Sequence, residues 1–223
     1  MTYDIVILAK SRKYKNYCVA GVDIHSGQWI RPVSLDESIH FAVTEEDMLC
    51  TDGTYAQVLD VVRVAFTGPA QAAYQLENMV IDQSVRWQKL GHWNIRQVLQ
   101  VHHTDMPRYI YGNTERALTE EEIDEAHASL LLVCADWLRV QAIFDEDGKR
   151  KIRANFLYRK NWYNDISVTD FAFDDLSEEK PDRVMKPAWL VISLPDVPYE
   201  KDGLFYKFIA QVFTGDAANG GAV

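Results

Sequence analysis

The sequence predicts a mainly β protein with minor α, built as two small barrels in tandem joined by a helical linker region. Each half contains a hairpin-like segment whose loop ends in glycine, and each half offers about five short strand-like segments. One stretch of helical periodicity lies between them. The predicted limits are a first barrel with its following helix at 1–105, a linker with a short acidic helix at 106–128, a second barrel at 129–214 and a flexible tail at 215–223.

The first half begins with a strand, a basic loop and a hairpin. Residues 3–10 are apolar at successive positions, as in a strand covered on both faces, and the basic loop is 11–16. Residues 17–24 alternate between apolar and polar, and residues 28–35 return after 25–27. This spacing predicts a three-residue hairpin loop that ends with glycine in the left-handed conformation.

The predicted register of the first hairpin assigns its two faces. It places Val22 opposite Ile30 in the core and directs Trp29 and Arg31 outward. Gly21 then lies opposite Arg31, where the missing side chain leaves room for a ligand or for a closely approaching backbone.

The segment between the hairpins is predicted to hold one long strand and the helices. Residues 55–66 are predicted to form the strand, and residues 82–101 a helix that is broken or kinked near Gly91. Thr119 and Glu122 have the spacing of a capping box and open the short acidic helix. Further strands are predicted at residues 188–194 and 204–213.

The second hairpin repeats the construction of the first. Residues 137–144 and 149–158 alternate around a glycine-ended loop at 146–148. The register pairs Ala142 with Ile152. The residues predicted to point into the core are Leu138, Val140, Ala142, Phe144, Ile152, Ala154, Phe156 and Tyr158. The predicted outer face pairs Gln141 with Arg153 and Arg139 with Asn155, beside Trp137 and Lys151.

A basic and aromatic segment is the main functional signal. Residues 149–163 carry six basic side chains, four aromatic rings and no acid, in a chain of net charge −10. Flat rings among cations suit a single-stranded nucleic acid, because phosphates attract positive charge and unstacked bases need a surface on which to stack. The net charge argues against unspecific coating of DNA, but a local basic patch still acts over a Debye length of about 8 Å.

Several segments resemble the bacterial dual OB-fold domain proteins. The matching pieces are KSRKYKNYCVAGVDIHSGQWIRPVS (10–34), SLLLVCADWLRV (129–140), KIRANFLYRKNWYNDISVTD (151–170), and WLVISL and FYKFIAQVF near the end. The resemblance implies two tandem OB folds and a role in nucleic-acid recognition, often beside bacterial conflict or defence systems. It implies no established catalytic residues.

The candidate site is made of basic, aromatic and amide side chains in both halves. OB folds bind oligonucleotides on the face of their second and third strands, and we assign the outer face of the second hairpin to that surface. The residues predicted to contact nucleic acid are Lys10, Arg12, Lys13, Lys15, Trp29 and Arg31 in the first half, and Trp137, Arg139, Lys151, Arg153, Asn155, Lys160, Trp162 and Tyr163 in the second.

Each group also has a purely structural interpretation. The outer face of the second hairpin is then a solvated surface or one sealed against the other barrel. Trp29 packs between the halves while Arg31 pairs with an acid such as Asp23, and Trp162 closes the barrel end. The acidic residues Asp165, Thr169, Asp170, Asp174 and Asp175 form a run that resembles a cation site for phosphodiester chemistry, although aspartates in such runs usually cap turns.

Other functional classes lack their usual signals. The three cysteines are widely spaced without a CxxC pattern, so we expect buried, inert thiols rather than disulfides or zinc. The histidines show neither HxxxH nor HExxH spacing, and Walker A, GxGxxG and GxSxG motifs are absent. No metal or other cofactor is predicted. The N-terminus leads directly into a strand and no apolar run approaches about 18 residues, so the predicted location is the cytoplasm.

Three functional hypotheses follow from the sequence. The first is a non-enzymatic module that binds single-stranded nucleic acid or a nucleotide-like ligand. The second is a protein-interaction adaptor whose acidic segments dock a partner. The third is a metal-dependent phosphodiesterase or nuclease that uses the acids at 165–175.

Overall fold

The computed structural model describes residues 1–13 and 15–214 and divides the chain into two compact units. The first unit is Met1–His103 and the second begins at Thr104. Strands account for 48% of the described residues and helices for 11%, so the predicted mainly β class is confirmed. The tail predicted at 215–223 lies outside the described residues. Within the described ranges, none of the helices has the length and apolar character that crossing a bilayer requires.

The first unit is a five-stranded barrel with one added strand. Its elements are β1 (Thr2–Lys13), β2 (Asn16–Asp23), β3 (Trp29–Val33), β4 (Asp60–Pro69), β5 (Asn78–Ile81), β6 (Gln88–His92) and α1 (Ile95–Val101), with 3-10 turns at Glu37–Ile39 and Glu46–Met48. The strand order is β1-β2-β3-β5-β4-β6, and β1 also pairs with β4, which closes the barrel. Ile5 and Val6 pair with β2 and with β4, so the first strand bonds to both neighbours at the same residues.

Alternation and burial explain this barrel. The core includes Ile7, Val19, Phe66 and Trp87, which are almost fully buried. Residues 5–8 are fully buried at successive positions, as expected for a strand covered on both faces. The prediction of a central first strand is therefore confirmed.

The predicted register of the first hairpin is wrong by one residue. Gly21 pairs with Ile30, and Val22 pairs with Trp29. The cause is Ile24, whose backbone N–H donates to the carbonyl of Asp4 in β1 instead of crossing the hairpin. The loop consequently has four residues, 24–27, and still ends in glycine with a positive φ of 71°.

The predicted elements between the hairpins are partly wrong. The strand expected at 55–66 is displaced to Asp60–Pro69, after Leu59 takes a positive φ of 69°. The helix expected at 82–101 is replaced by strand β6 and the short helix α1. Asn94 forms a capping box with Gln97, so the helix begins only after residue 94.

The second unit is a second barrel, with a short helix and two small strand segments. Its elements are β7 (Ala117–Leu118), α2 (Glu120–Asp124), β8 (Leu130–Ala135), β9 (Trp137–Phe144), β10 (Arg150–Tyr158), β11 (Asn161–Val168), β12 (Asp182–Met185), β13 (Ala188–Ser193), β14 (Phe205–Tyr206) and β15 (Phe208–Thr214), with 3-10 turns at Ile110–Gly112 and Phe171–Phe173. The order of its main sheet is β12-β9-β10-β11-β15-β13-β8. The capping box of Thr119 and Glu122 opens α2, as predicted.

The main sheet of the second unit closes through a bent first strand. β8 pairs with β13, β9 pairs with β10, and a single residue, Asp136, separates β8 from β9. Taken as one bent strand, β8 and β9 make a five-stranded ring with β10, β11, β15 and β13, in which only the β11–β15 pair is parallel. The first barrel likewise has one parallel pair, β3–β5.

The predicted register of the second hairpin is confirmed. Ala142 pairs with Ile152, Gln141 with Arg153, and Arg139 with Asn155. Phe156 and Tyr158 are 1% and 3% exposed and belong to the core, as predicted. The prediction that Phe144 points into the core is wrong, because Phe144 is the last residue of β9 and is 40% exposed.

The two hairpins occupy different places in their barrels, which corrects the prediction that one construction is repeated. β2 and β3 are the second and third strands of the first barrel, whereas β9 and β10 are the first and second strands of the other. The third strand that completes the predicted binding face of the second barrel is therefore β11.

The segment before β8 packs on the second barrel. The hydroxyl of Tyr158 donates to the carbonyl of Pro107 at 2.9 Å, and the N–H of Ile110 donates to the hydroxyl of Tyr163 at 2.9 Å. Lys207 adds a third link, since its ammonium donates to the side-chain and backbone oxygens of Asn113 at 2.6 and 2.9 Å.

Candidate nucleic-acid interface

Three neighbouring strands present a continuous outer face on the second barrel. Residues on one side of β9, β10 and β11 point away from the core because side chains alternate along a strand. We call this surface the outer face. It consists of Trp137, Arg139, Gln141, Lys151, Arg153, Asn155, Leu157, Trp162 and Ser167, as the strand register places them.

A pair of indoles lies at one end of the outer face. Trp137 and Trp162 both pair with Leu157, one from each side. Their ring centroids are 5.3 Å apart with an interplanar angle of 73°, an edge-to-face contact. Trp162 is 50% exposed, whereas Trp137 is only partly exposed. The indole of Trp162 is therefore held by its neighbour and still offers surface on which a base can stack.

The cations of the outer face are paired with carboxylates. The pairs are Arg139 with Asp182 at 2.7 Å, Lys151 with Asp145 at 3.0 Å, and Arg153 with Asp165 at 3.2 Å. The hydrogen bond from Lys151 also lowers the pKa of Asp145. A phosphate that binds these predicted contact residues therefore has to compete with carboxylates already in place.

Asn155 and Lys160 retain accessible polar groups near the indoles. The side-chain oxygen of Asn155 accepts the N–H of Asp165 at 2.9 Å, and the residue is partly exposed. Lys160 is exposed in the turn between β10 and β11, with a φ of 67°. Both residues occupy places where a strand bound to the outer face can reach them.

Tyr163 is a core residue and not part of the interface, which corrects the sequence prediction. Its exposure is 0%, and its ring stacks on Phe156 with centroids 4.9 Å apart and planes 5° apart. Burial raises the pKa of its hydroxyl. The alternation of β11 explains this placement, since neighbours Trp162 and Tyr163 must point to opposite faces.

In the first unit, the predicted basic residues gather at the turn between β1 and β2. Arg12 and Lys15 are exposed and Lys13 is partly exposed. Lys10 lies further along the strand, 4.9 Å from the centre of the Tyr17 ring, and burial lowers its pKa. This turn is the most cationic of the predicted groups in the first unit.

Arg31 is buried, which corrects its predicted outward direction. It is 3% exposed, and its guanidinium bonds to the carboxylate of Glu77 at 2.8 Å and to the sulfur of Cys18 at 3.4 Å. The predicted alternative partner, Asp23, instead accepts from Ser26 at 2.6 Å. A ligand therefore has no access to this cation.

Trp29 and Gly21 are also explained by packing. The indole of Trp29 is partly buried and meets the ring of His102 at 5.1 Å between centroids. A Cβ on Gly21 would lie 2.4 Å from the carbonyl oxygen of Val6, so its space is filled by the backbone of β1 and not by a ligand.

The acidic run at 165–175 is held in structural contacts. Asp170 is 5% exposed, and its carboxylate accepts from Gln211 at 2.8 Å and from the N–H of Ala172 at 2.9 Å. Burial raises its pKa. Asp175 binds Lys180 and Arg183. Among residues 1–13 and 15–214, no group of three or more His, Cys, Asp or Glu side chains is arranged to hold a metal.

The cysteines are reduced, and their burial differs from the prediction. Cys50 is buried, whereas Cys18 and Cys134 are partly exposed. Burial raises the pKa of the Cys50 and Cys134 thiols, which disfavours the reactive thiolate.

Arg116 and the carboxylate partners were not predicted from the sequence. Arg116 hydrogen-bonds to Asp165, 49 residues away in the chain. Asp182 is 43 residues from Arg139. No local pattern connects residues at such separations, so only the folded structure reveals these contacts.

Comparison with known proteins identifies a family for nearly the whole chain. The model of the dual OB-containing domain matches residues 3–212. Comparison with curated proteins gave no match. Among solved structures, the chain is similar to the Ifi202 HINa domain in complex with 20bp dsDNA, at 8% identity and a TM-score of 0.33, over 96% of this chain and 94% of that one.

Proposed function

Because this chain belongs to the dual OB-containing domain family, we propose that it is a non-catalytic cytoplasmic protein that binds single-stranded nucleic acid on the outer face of its second barrel. One observation carries the proposal: the half-exposed indole of Trp162 on the third strand of an OB-like barrel, supported by Trp137 on the first strand. That face is where OB folds bind oligonucleotides.

Stacking favours a single strand over a duplex. A base can cover the indole of Trp162 only when it has left the base stack, and duplex bases are covered by their neighbours. Each base stacked on an aromatic side chain contributes about 1–3 kcal/mol. The amides of Gln141 and Asn155, on the same face, are of the kind that hydrogen-bonds to base edges.

The paired cations give phosphate attraction a secondary place in this proposal. Arg139, Lys151 and Arg153 each already have a carboxylate partner. We therefore expect a salt dependence shallower than the slope of about 0.7 per phosphate that free cations would produce. Recognition of the bases provides most of the affinity.

The decisive test is the loss of the exposed ring. Labelled single-stranded DNA, single-stranded RNA and duplex DNA are titrated with wild type and with Trp162→Ala, and binding is followed by fluorescence anisotropy. We expect wild type to prefer single strands and Trp162→Ala to bind them about 5- to 150-fold more weakly, which corresponds to 1–3 kcal/mol. Tyr55→Ala is the matched control, because it removes a 41%-exposed ring from the first unit.

Two results would contradict the proposal. If Trp162→Ala binds as tightly as wild type while its thermal unfolding is unchanged, stacking on the outer face is not the mode of binding. If wild type binds none of the oligonucleotides, the adaptor hypothesis replaces this one.

The dual OB-fold resemblance further favours a sensor in a bacterial conflict or defence system.

A further inference from the structure

Asp165 lies between two guanidinium groups at the edge of the outer face. One of its carboxylate oxygens accepts a hydrogen bond from Arg116, and the other lies 3.2 Å from Nε of Arg153. The side chains of Asp165 and Arg116 are 46% and 47% exposed, and that of Arg153 is 21% exposed. A single carboxylate thus occupies a site that two arginines line and that solvent reaches.

Both arginines are positioned by contacts other than Asp165. Arg153 donates from Nη1 to the hydroxyl of Ser167 at 2.9 Å and to the carbonyl of Ile152 at 3.3 Å. The guanidinium of Arg116 lies 5.1 Å from the centre of the Tyr206 ring. Because these contacts do not involve the carboxylate, the two guanidiniums can keep their places when the carboxylate leaves.

The backbone at residue 165 is adapted to a short polar side chain. Asp165 has a φ of 55° and lies in the irregular part of the β10–β11 pairing, between the pairs at Ala154 and Phe156. Aspartate and asparagine are among the few residues that adopt this left-handed conformation readily. The charge at this position can therefore be removed with little change in the backbone.

We propose that Arg116 and Arg153 form a phosphate-binding site, which Asp165 fills as an internal anion until a phosphate of a bound strand displaces it. Carboxylate and phosphate are the two anions whose oxygens match the geometry of a guanidinium. An exposed ion pair contributes little net free energy, so the exchange costs little. The inference rests on the proposed function, because the phosphate belongs to the strand whose base stacks on Trp162.

The position of the site makes phosphate binding there depend on whether a base is stacked on Trp162. Asp165 follows Trp162 by three residues in β11, roughly 10 Å along a strand, a separation that a short oligonucleotide spans. A base on the indole raises the local concentration of the neighbouring phosphate. A polyanion that has no accessible base does not gain this increase in local concentration. Its phosphates therefore have to displace Asp165 without the help of stacking.

The test removes the internal anion and measures both affinity and salt dependence. For Asp165→Asn we expect binding of single-stranded oligonucleotide to tighten, up to about fivefold at low salt. We also expect the salt slope to rise by up to about 1.4, since two arginines become available to phosphate. Asp175→Asn is the matched control: Asp175 is also an exposed carboxylate shared by two cations, Lys180 and Arg183, and its loss should change neither quantity.

A second variant separates the site from a general charge effect. In the Asp165→Asn background, Arg116→Gln should abolish the gain. If the gain persists there, if Asp175→Asn reproduces it, or if Asp165→Asn binds no more tightly than wild type with unchanged thermal unfolding, the phosphate site is refuted. If Trp162→Ala weakens binding while Asp165→Asn has no effect, only this inference fails. If Trp162→Ala has no effect and Asp165→Asn still tightens binding, the stacking proposal fails and the anion site stands.

Discussion

The two barrels use the same residue types on comparable strands for different purposes. On the third strand of the first barrel, Arg31 is 3% exposed and bound to Glu77, and Trp29 packs against His102. On the second and third strands of the other barrel, Arg153 reaches solvent and Trp162 is 50% exposed. A tryptophan and an arginine on an OB-like strand are therefore not evidence of binding by themselves. The difference lies in whether another segment covers them, as the residues before β5 cover Arg31.

Removal of Arg31 should produce the largest effect and sharpen this comparison. Arg31→Ala leaves the carboxylate of Glu77, whose side chain is only 10% exposed, without its cation. Loss of one partner of a buried pair costs about 3–5 kcal/mol. Arg153→Ala, the counterpart in the second barrel, should cost about 1 kcal/mol or less because its pair is solvated. Urea-induced unfolding followed by circular dichroism measures both. If the two variants lose the same free energy of unfolding, the distinction between a structural arginine in the first barrel and a surface arginine in the second is wrong.

The second barrel has a buried cation of its own, and its pH dependence can be measured. Burial lowers the pKa of Lys207 from 10.5 to about 8, although Glu122 and Glu115 oppose the change. Between pH 8 and pH 10 the unfolded chain holds this proton more tightly than the folded one. The contribution of Lys207 to the free energy of unfolding should therefore rise with pH, by about 2 kcal/mol over that interval, and the difference between wild type and Lys207→Met measures it.

The variant Lys207→Met provides the control for this rise. Without the ammonium, the free energy of unfolding should not rise from pH 8 to pH 10 in urea unfolding and should fall slightly, because burial raises the pKa of the Cys50 and Cys134 thiols and favours their neutral forms in the folded protein. Above pH 10 the raised pKa values of Tyr158 and Tyr163 act in the opposite direction, because their neutral forms are favoured in the folded protein. A rise that survives Lys207→Met would assign the effect to another group.

A smaller effect distinguishes the inner from the outer rings of β11. Tyr163→Phe deprives the buried N–H of Ile110 of its acceptor, at a cost of about 1–3 kcal/mol, and should leave oligonucleotide affinity unchanged. Tyr199→Phe, on a 50%-exposed ring, should change stability by about 0.5 kcal/mol or less. Weaker binding by Tyr163→Phe at unchanged stability would restore Tyr163 to the interface.

Local features of the fold were predictable from the sequence, and long-range ones were not. The alternation and the glycine-ended loop of the second hairpin set its register, and the spacing of Thr119 and Glu122 set the start of α2. The first hairpin differed because Ile24 bonds to Asp4, a residue outside the hairpin. The prediction succeeded where the determining contacts lie within one hairpin or one helical turn.

The candidate site shows the same division. Alternation along β9 and β10 identified the side chains that share the outer face. It could not identify their partners, because Asp182 is 43 residues from Arg139, and Arg116 is 49 residues from Asp165. Pairings at this separation depend on the closed barrel and decide which cations a ligand can reach.

The one-residue break at Asp136 has a mechanical consequence. In the first barrel, Ile5 and Val6 bond to the strands on both sides, so the ring is bridged by hydrogen bonds across the same residues. In the second barrel, β8 pairs on one side, β9 pairs on the other, and the exposed residue Asp136 joins them. Cleavage of the chain there by a protease, or new termini in a circular permutant, would convert the closed barrel into an open sheet. β8 and β9 would then be joined by no covalent link at this point, while every strand pairing stayed in place.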